Sequence, residues 1–233
     1  MPFMSNADPR PANRRDQQRA DTRARIVAAA TALFATRGFE GAALPAVAER
    51  CGDRVSLILY HFGSKDGLWR ACVDAVFEQL NARTAELLLA HPDAGATTVE
   101  GLALLLRVYI TAAADTPDYH RILFHEAMHD TPRLRWLVDT HQRRVSDVMV
   151  AFITQAQEAG LLPHGHDPMH LKFMLSGLLA LPITLAPEYR QLTGQDPTGR
   201  PFIETHVAAC LSLLGLDEGV GAKQAALQEE PGS

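Results

Sequence analysis

The sequence predicts an all-α protein, and three observations predict it. Apolar residues make up 47% of the 233 and aromatics only 6%, with Ala and Leu, both strong helix formers, supplying most of the apolar positions. Apolar residues recur at spacings of three and four along the chain. Thr, Asp, Ser and Gly punctuate the edges of these runs, several with Pro directly after them. About nine helices result, a small N-terminal group followed by a larger helical domain, and the length is enough to bury a sizeable core.

Taken in order, residues 1–20 (MPFMSNADPRPANRRDQQRA) offer almost nothing to bury and are expected to form a disordered basic arm. Asp21 or Thr22 can cap a first helix that carries Ile26, Ala29, Ala30, Leu33 and Phe34 and stops at Gly38. Pro45 opens a second, short helix with Val47, Ala48 and Cys51 inward, ending at Gly52. Asp53 and Arg54 form a turn. Val55 to His61 make a third short helix with Leu57 and Ile58 as its core residues. Gly63 closes it, and Ser64 caps a fourth helix through Leu68, Cys72, Ala75, Val76, Leu80 and Leu87. Two short helices about a Gly-containing turn, braced by longer ones, are a helix-turn-helix arrangement.

The segment 91–98 (HPDAGATT) reads as a loop. Further helices are expected at about 98–114, 117–129, 132–159, 168–185 and 200–215, with Thr116, Thr131 and Asp167 each preceding a Pro. Residues 187–199 (PEYRQLTGQDPTG) read as a loop. The domain reading is therefore an arm at 1–20, a helix-turn-helix domain at 21–66, a larger helical domain at 67–217 and a flexible tail at 218–233.

Charge divides the same way. Residues 1–70 hold 11 Lys and Arg against 7 Asp and Glu, while the remainder holds 11 against 20, giving the net charge of −5. A basic head on an acidic body suits a chain that meets phosphates at one end. Cys51, Cys72 and Cys210 are widely separated and form no CxxC pair, so they read as core residues in a reducing compartment rather than as a disulfide framework or a metal knuckle. No run approaches the roughly 20 apolar residues a membrane span requires, and the first ~25 residues lack a signal sequence's apolar core. The expectation is a cytoplasmic protein without a membrane association.

The string Gly52, Val55 to His61, Phe62, Gly63, Ser64, Lys65, together with the preceding helix and GFEGAALPAVAERCG, resembles the N-terminal domain of the tetracycline-repressor family. The match covers about residues 20–70. It implies a transcriptional regulator, a non-enzyme without a cofactor, that binds double-stranded palindromic operator DNA as a homodimer and is released by a small apolar or aromatic effector. By resemblance Val55, Ser56, Leu59 and Tyr60 face the major groove, with His61, Lys65 and Thr22 near phosphate. Arg54 is a further candidate for a base or phosphate contact, and Pro45 stands where the family often has a polar residue. Leu59 departs from the family's usual aromatic or polar residue and can offer a base only an apolar contact, to a thymine methyl. The arginines Arg10, Arg14, Arg15 and Arg19 of the arm are then expected to add phosphate or minor-groove contacts. Leu57, Ile58 and Phe62 are expected to hold the motif rigid from inside.

In the larger domain the resemblance implies an effector pocket among the fourth to eighth helices. Candidate lining residues are Leu102, Leu106, Tyr109, Ile122, Phe124, His125, Met128, Trp136, Phe152, Phe173 and Met174; bulk and adaptability favour Trp136, Phe173 and Met174. His125-Glu126-Ala127-Met128-His129 satisfies H-E-x-x-H, which on one helix face would present two imidazoles to zinc and a carboxylate to water. The alternative reading is therefore a zinc-dependent hydrolase, ranked below structural or surface histidines, for which no metal is expected. His164, His166 and His170 cluster around a loop. The last two helices carry Leu171, Leu175, Leu178, Leu179 and Leu181, and Val207, Leu211, Leu213 and Leu214, more than one intramolecular face consumes, and are expected to form the dimer interface.

Overall fold

The structure, a computed structural model, describes residues 14–216, all of whose regular elements are helical. The chain divides into two compact units at Cys72/Val73.

The first unit contains α1 (Arg14–Gly41), α2 (Leu44–Cys51), α3 (Val55–Phe62) and the first turns of α4 (Lys65–Ala90). Helix α1 begins well before the expected cap at Asp21 or Thr22, so the described part of the arm, Arg14 to Ala20, is helical rather than disordered. The residues account for it. Arg, Gln and Ala are good helix formers, Asp16 stands in the first turn where the helix dipole favours an acid, and Gln17 donates to Asp21 one turn on at 3.0 Å. The Thr22 hydroxyl turns back to the carbonyl of Gln18 at 2.9 Å instead of capping anything. Arg10 and the tail from 217 onward lie outside the described residues. The helical geometry breaks at Gly38, where φ is 66°. Ile26, Ala30, Val47, Ile58, Leu68 and Cys72 are fully buried and Phe34 and Trp69 nearly so, and Arg25 pairs with Asp53 at 2.6 Å, tying α1 to the turn between α2 and α3. Burial pushes the Cys72 thiol up to about 12, so it remains an inert core group.

The second unit continues from α4 into α5 (Val99–Asp115), α6 (Pro117–Ala127), α7 (Pro132–Leu137), a π-helical turn (Val138–Gln142), α8 (Arg143–Glu158), α9 (Pro168–Thr184), α10 (Ala186–Thr193) and α11 (Arg200–Leu213). Thr131 and Asp167 cap as their positions predict, accepting from the amides of Leu134 and His170 at 3.0 and 2.9 Å, and Thr98 caps α5, accepting from the amide of Gly101 at 3.0 Å. The hydroxyl of Thr116 does not, donating to the carbonyl of Ala112 at 2.7 Å. The stretch expected as one helix over 132–159 is continuous but carries the π turn. Helix α10 replaces much of the loop expected at 187–199. Pro187 sits in its first turn, where proline costs no hydrogen bond, left-handed Gly194 ends it, and Tyr189 meets Phe202 edge-on at 5.2 Å.

The core of this unit has two parts. Leu106 and Ile110 of α5, Leu179 and Ile183 of α9, and Ile203, Val207 and Cys210 of α11 form one. Leu102, Ile153, Ala156, Leu162 and Leu171 form the other, where α5, α8 and α9 converge. No single helix among the described residues is long and apolar enough to cross a membrane.

Candidate functional site

Helix α3 has one face fixed and one face presented. Ile58 is 0% exposed, whereas Tyr60 is 69% and Leu59 39% exposed, and Arg54 and Ser56 are exposed at its N-terminal end. Val55 and His61 are half-buried and Pro45 is exposed on α2. The exposed side of α3 is flanked by α1. The guanidinium of Arg19 lies 5.7 Å from the centre of the Tyr60 ring, and that of Arg23 lies 5.2 Å from the Phe62 ring. Two cations are thus held on the aromatic side chains of α3 by cation–π contact. No local signal marks Arg23, whose place beside Phe62 comes from a contact between residues 39 apart in sequence.

The α3–α4 junction is tightly constrained. Ser64 accepts the amide of Gly67 at 3.0 Å and caps α4, and its own amide donates to the carbonyl of Phe62 at 2.8 Å. Lys65 folds back, its ammonium 4.5 Å from the centre of the Phe39 ring and donating to the carbonyl of Glu40 at 3.4 Å. Its side chain therefore satisfies a backbone acceptor near the end of α1 as well as standing in the first turn of α4.

The second unit encloses a cavity of about 890 Å³ lined from α4, α5, α6, the π turn, α8 and α9. Of the expected residues, Leu102, Leu106, Tyr109, Phe124, Phe152 and Phe173 line it, as do several further leucines. His125, Met128, Trp136 and Met174 are not among the lining residues. Met128 and Met174 are 59% exposed, and Trp136 meets His141 edge-on at 5.5 Å. Ile122 is buried away from the lining.

Polar groups stand on the cavity wall, and of these only Tyr109 is among the residues expected from the sequence. Phe77 stacks on His141 at 4.5 Å and meets Tyr119 edge-on at 4.9 Å, while His141 is held by Asp74 at 2.8 Å and the Tyr119 hydroxyl donates to Gln142 at 2.8 Å. Burial raises the Tyr109 phenol, partly offset by its hydrogen bond with Ser176. His120 is pushed down to about 4 by burial and stays neutral, and its Nδ1 is buried without a hydrogen-bond partner. Lys172 is 5% exposed. Tyr119 and His120 are neighbours on α6, but their partners Phe77, Gln142 and Tyr109 come from α4, the π turn and α5, so no local motif announces them.

The H-E-x-x-H string is not arranged for zinc. Helix α6 ends at Ala127, so His125 is helical and His129 lies in the turn beyond, and the two imidazoles do not share a helix face. Glu126 is 5% exposed, accepts from the Thr131 hydroxyl and pairs with Arg133 at 3.3 Å. Its carboxylate is engaged in fastening the α6–α7 turn, and no three His, Cys, Asp or Glu side chains cluster as a metal site among the described residues.

Comparison with known proteins follows the same division. Residues 26–72 match the family model described as bacterial regulatory proteins, tetR family, and residues 99–213 match the model of the tetracyclin repressor-like C-terminal domain. The chain belongs to the TetR family. Among relatives of this TetR-family regulator, the HTH-type transcriptional regulatory protein RaaS of Mycobacterium tuberculosis is 45% identical over 68 residues, 29% of this chain and 32% of that protein. The HTH-type transcriptional repressor NicS of Pseudomonas putida is 27% identical over 146 residues, 63% of this chain and 66% of that one. The matches thus span about a third and just under two thirds of these relatives' lengths. Solved structures agree in fold. The hemolysin II transcriptional regulator HlyIIR superposes with a TM-score of 0.60 at 16% identity, covering 82% of this chain and 97% of that one. FadR of Bacillus subtilis, solved in complex with stearoyl-CoA, superposes with a TM-score of 0.57 at 16% identity over 79% and 95% of the two chains.

Proposed function

We propose that this TetR-family regulator is a repressor that binds a palindromic operator as a homodimer and is released by a small, largely apolar effector seated in the cavity of its second unit. The observation that carries the DNA-binding part is the two-sidedness of α3, with Ile58 locked inward and Ser56, Leu59 and Tyr60 turned to solvent beside Arg19 and Arg23. A helix so held can present its N-terminal side chains to base edges while flanking cations neutralise phosphates. Dimerisation through α9 and α11 is supported by the apolar side chains these helices leave exposed, Phe173, Met174, Leu181 and Leu213, between 43% and 75%. An effector cavity lined mainly by apolar residues, leucines foremost, fits an apolar ligand body, and a ligand that binds better to the DNA-free conformation relieves repression.

The test is fluorescence anisotropy on the DNA flanking the chain's own gene against random duplex at about 150 mM salt. Arg19→Ala and Arg23→Ala should each weaken binding to every sequence alike and lower the salt slope by roughly one, whereas Arg54→Ala and Ser56→Ala should change which sequences are preferred. Equal affinity for flanking and random DNA would overturn the operator reading. A sequence preference moved by the Arg19 and Arg23 variants but untouched by Arg54 and Ser56 would reverse the assigned roles.

A further inference from the structure

The cavity wall is electrically one-sided. While Asp74 pairs with His141, the charged side chains in the lining are the cations Lys172 and Arg144, with not one Asp or Glu. This stands out against a body in which Asp and Glu outnumber Lys and Arg by 20 to 11 over residues 71–233. Lysine is rare throughout the chain, with only Lys65, Lys172 and Lys223 present, and one of the three is placed inside.

The ammonium of Lys172 rests 4.1 Å from the centre of the Phe173 ring. Burial alone lowers its pKa, with no carboxylate acting on it, and no ion pair to it is present among the described residues. A lysine buried without a counter-charge is costly to the fold, and a ring face compensates only part of that cost. Ser176 follows one turn later on the same face of α9 and shares a hydrogen bond with Tyr109, whose ring lies 6.2 Å from that of His120. The unpartnered Nδ1 of His120 is a second polar group for which the fold supplies no mate. A cation and a buried unsatisfied imidazole on one apolar cavity are groups that a ligand completes.

Resting on the effector reading above, we propose that the cavity's ligand is an amphipathic acid, an apolar body ending in a single carboxylate, and that Lys172 recognises the carboxylate. Ten of the lining residues are leucines, which surround the body, and the carboxylate supplies the charge that Lys172 lacks. Charge-assisted hydrogen bonding in so apolar a site is strong enough to dominate selection between an acid and a neutral molecule of the same shape.

The experiment is isothermal titration of the full chain with two matched pairs, decanoate against 1-decanol and 2-naphthoate against 2-naphthalenemethanol, repeated on Lys172→Met. In the unaltered protein at least one acid should bind roughly tenfold or more tighter than its alcohol. In Lys172→Met that preference should vanish while the alcohol's affinity is kept or improved, and a melting curve no lower than the parent's shows that the variant is folded. Alcohols that bind as tightly as acids, or an acid preference that survives Lys172→Met, would overturn the carboxylate assignment and leave the effector cavity standing. Failure of all four compounds to bind the unaltered protein would overturn both.

Discussion

Gly67→Ala is expected to weaken operator binding by about 100-fold or more, equivalent to about 3 kcal/mol, although the methyl group touches no DNA. A Cβ at position 67 would lie 2.2 Å from the carbonyl oxygen of Phe62 and 3.3 Å from its carbonyl carbon. The obstruction is backbone, which cannot swing aside as the tip of a flexible side chain can. That same oxygen accepts the Ser64 amide, and the Gly67 amide donates to Ser64, so relief of the clash opens both bonds that join the end of α3 to the start of α4. A recognition helix displaced by an ångström loses its register on the groove. The measurement is anisotropy on the operator together with thermal melting. Gly95→Ala, where a Cβ meets nothing within 4 Å, serves as the control and should leave both unchanged. Parental DNA affinity in Gly67→Ala would show that the junction does not position α3.

The second large effect is acid destabilisation through His120. Its folded pKa of about 4, lowered by burial, lies below the ordinary value of about 6.5 that the unfolded chain has. Between these values the unfolded chain binds a proton that the native protein refuses, so native stability falls as pH drops through this window and is fully present above it. The two pKa values set the contribution at about 3 kcal/mol between pH 6.5 and 4. Urea unfolding at pH 7 and pH 4.5 should therefore show a markedly smaller acid loss for His120→Phe than for the parent. Equal losses in the two proteins would remove His120 as the cause.

The sequence made some of this legible and some not, for physical reasons. Tyr60, His61, Phe62, Ser64 and Lys65 were readable because the motif is local: its turn and its Ser64 cap fall within a dozen residues and chain order carries their geometry, whereas the contacts of Lys65 with Phe39 and Glu40, of Phe62 with Arg23 and of Tyr60 with Arg19 span more than 20 residues and were not. The inward faces of α1 and α2 were readable through the spacing of Ile26, Ala30, Leu33 and Val47. Trp69 was not, because α4 buries Leu68 and Trp69 side by side and a helix buried on adjacent positions has no stripe to follow. Pro187 misled because proline breaks a helix interior yet favours a first turn, and only the packing of Tyr189 on Phe202 decides between them. The cavity was the least legible part. Lys172 is a residue type normally read as solvated, and His120 gains meaning only from its burial and from the Tyr109 ring of α5 packed on it, which its own position does not announce. Met128 and Met174, both expected in the lining, turn outward because the one lies past the end of α6 and the other on the solvent side of α9.

The π turn at Val138–Gln142 has a consequence for how one helix serves two surroundings. A turn widened by one residue sets the segments on either side out of phase by roughly the 100° that a single residue sweeps in an α-helix. After it, continuing from His141 of the turn itself, Val145, Val148, Phe152 and Ile153 fall on a single stripe along the cavity, while before it Leu137 is fully buried and absent from that stripe. The same rod therefore keeps two separate facings, and removing a single residue from the widened turn would bring them into line, trading the wall of the cavity for the anchor of the bundle.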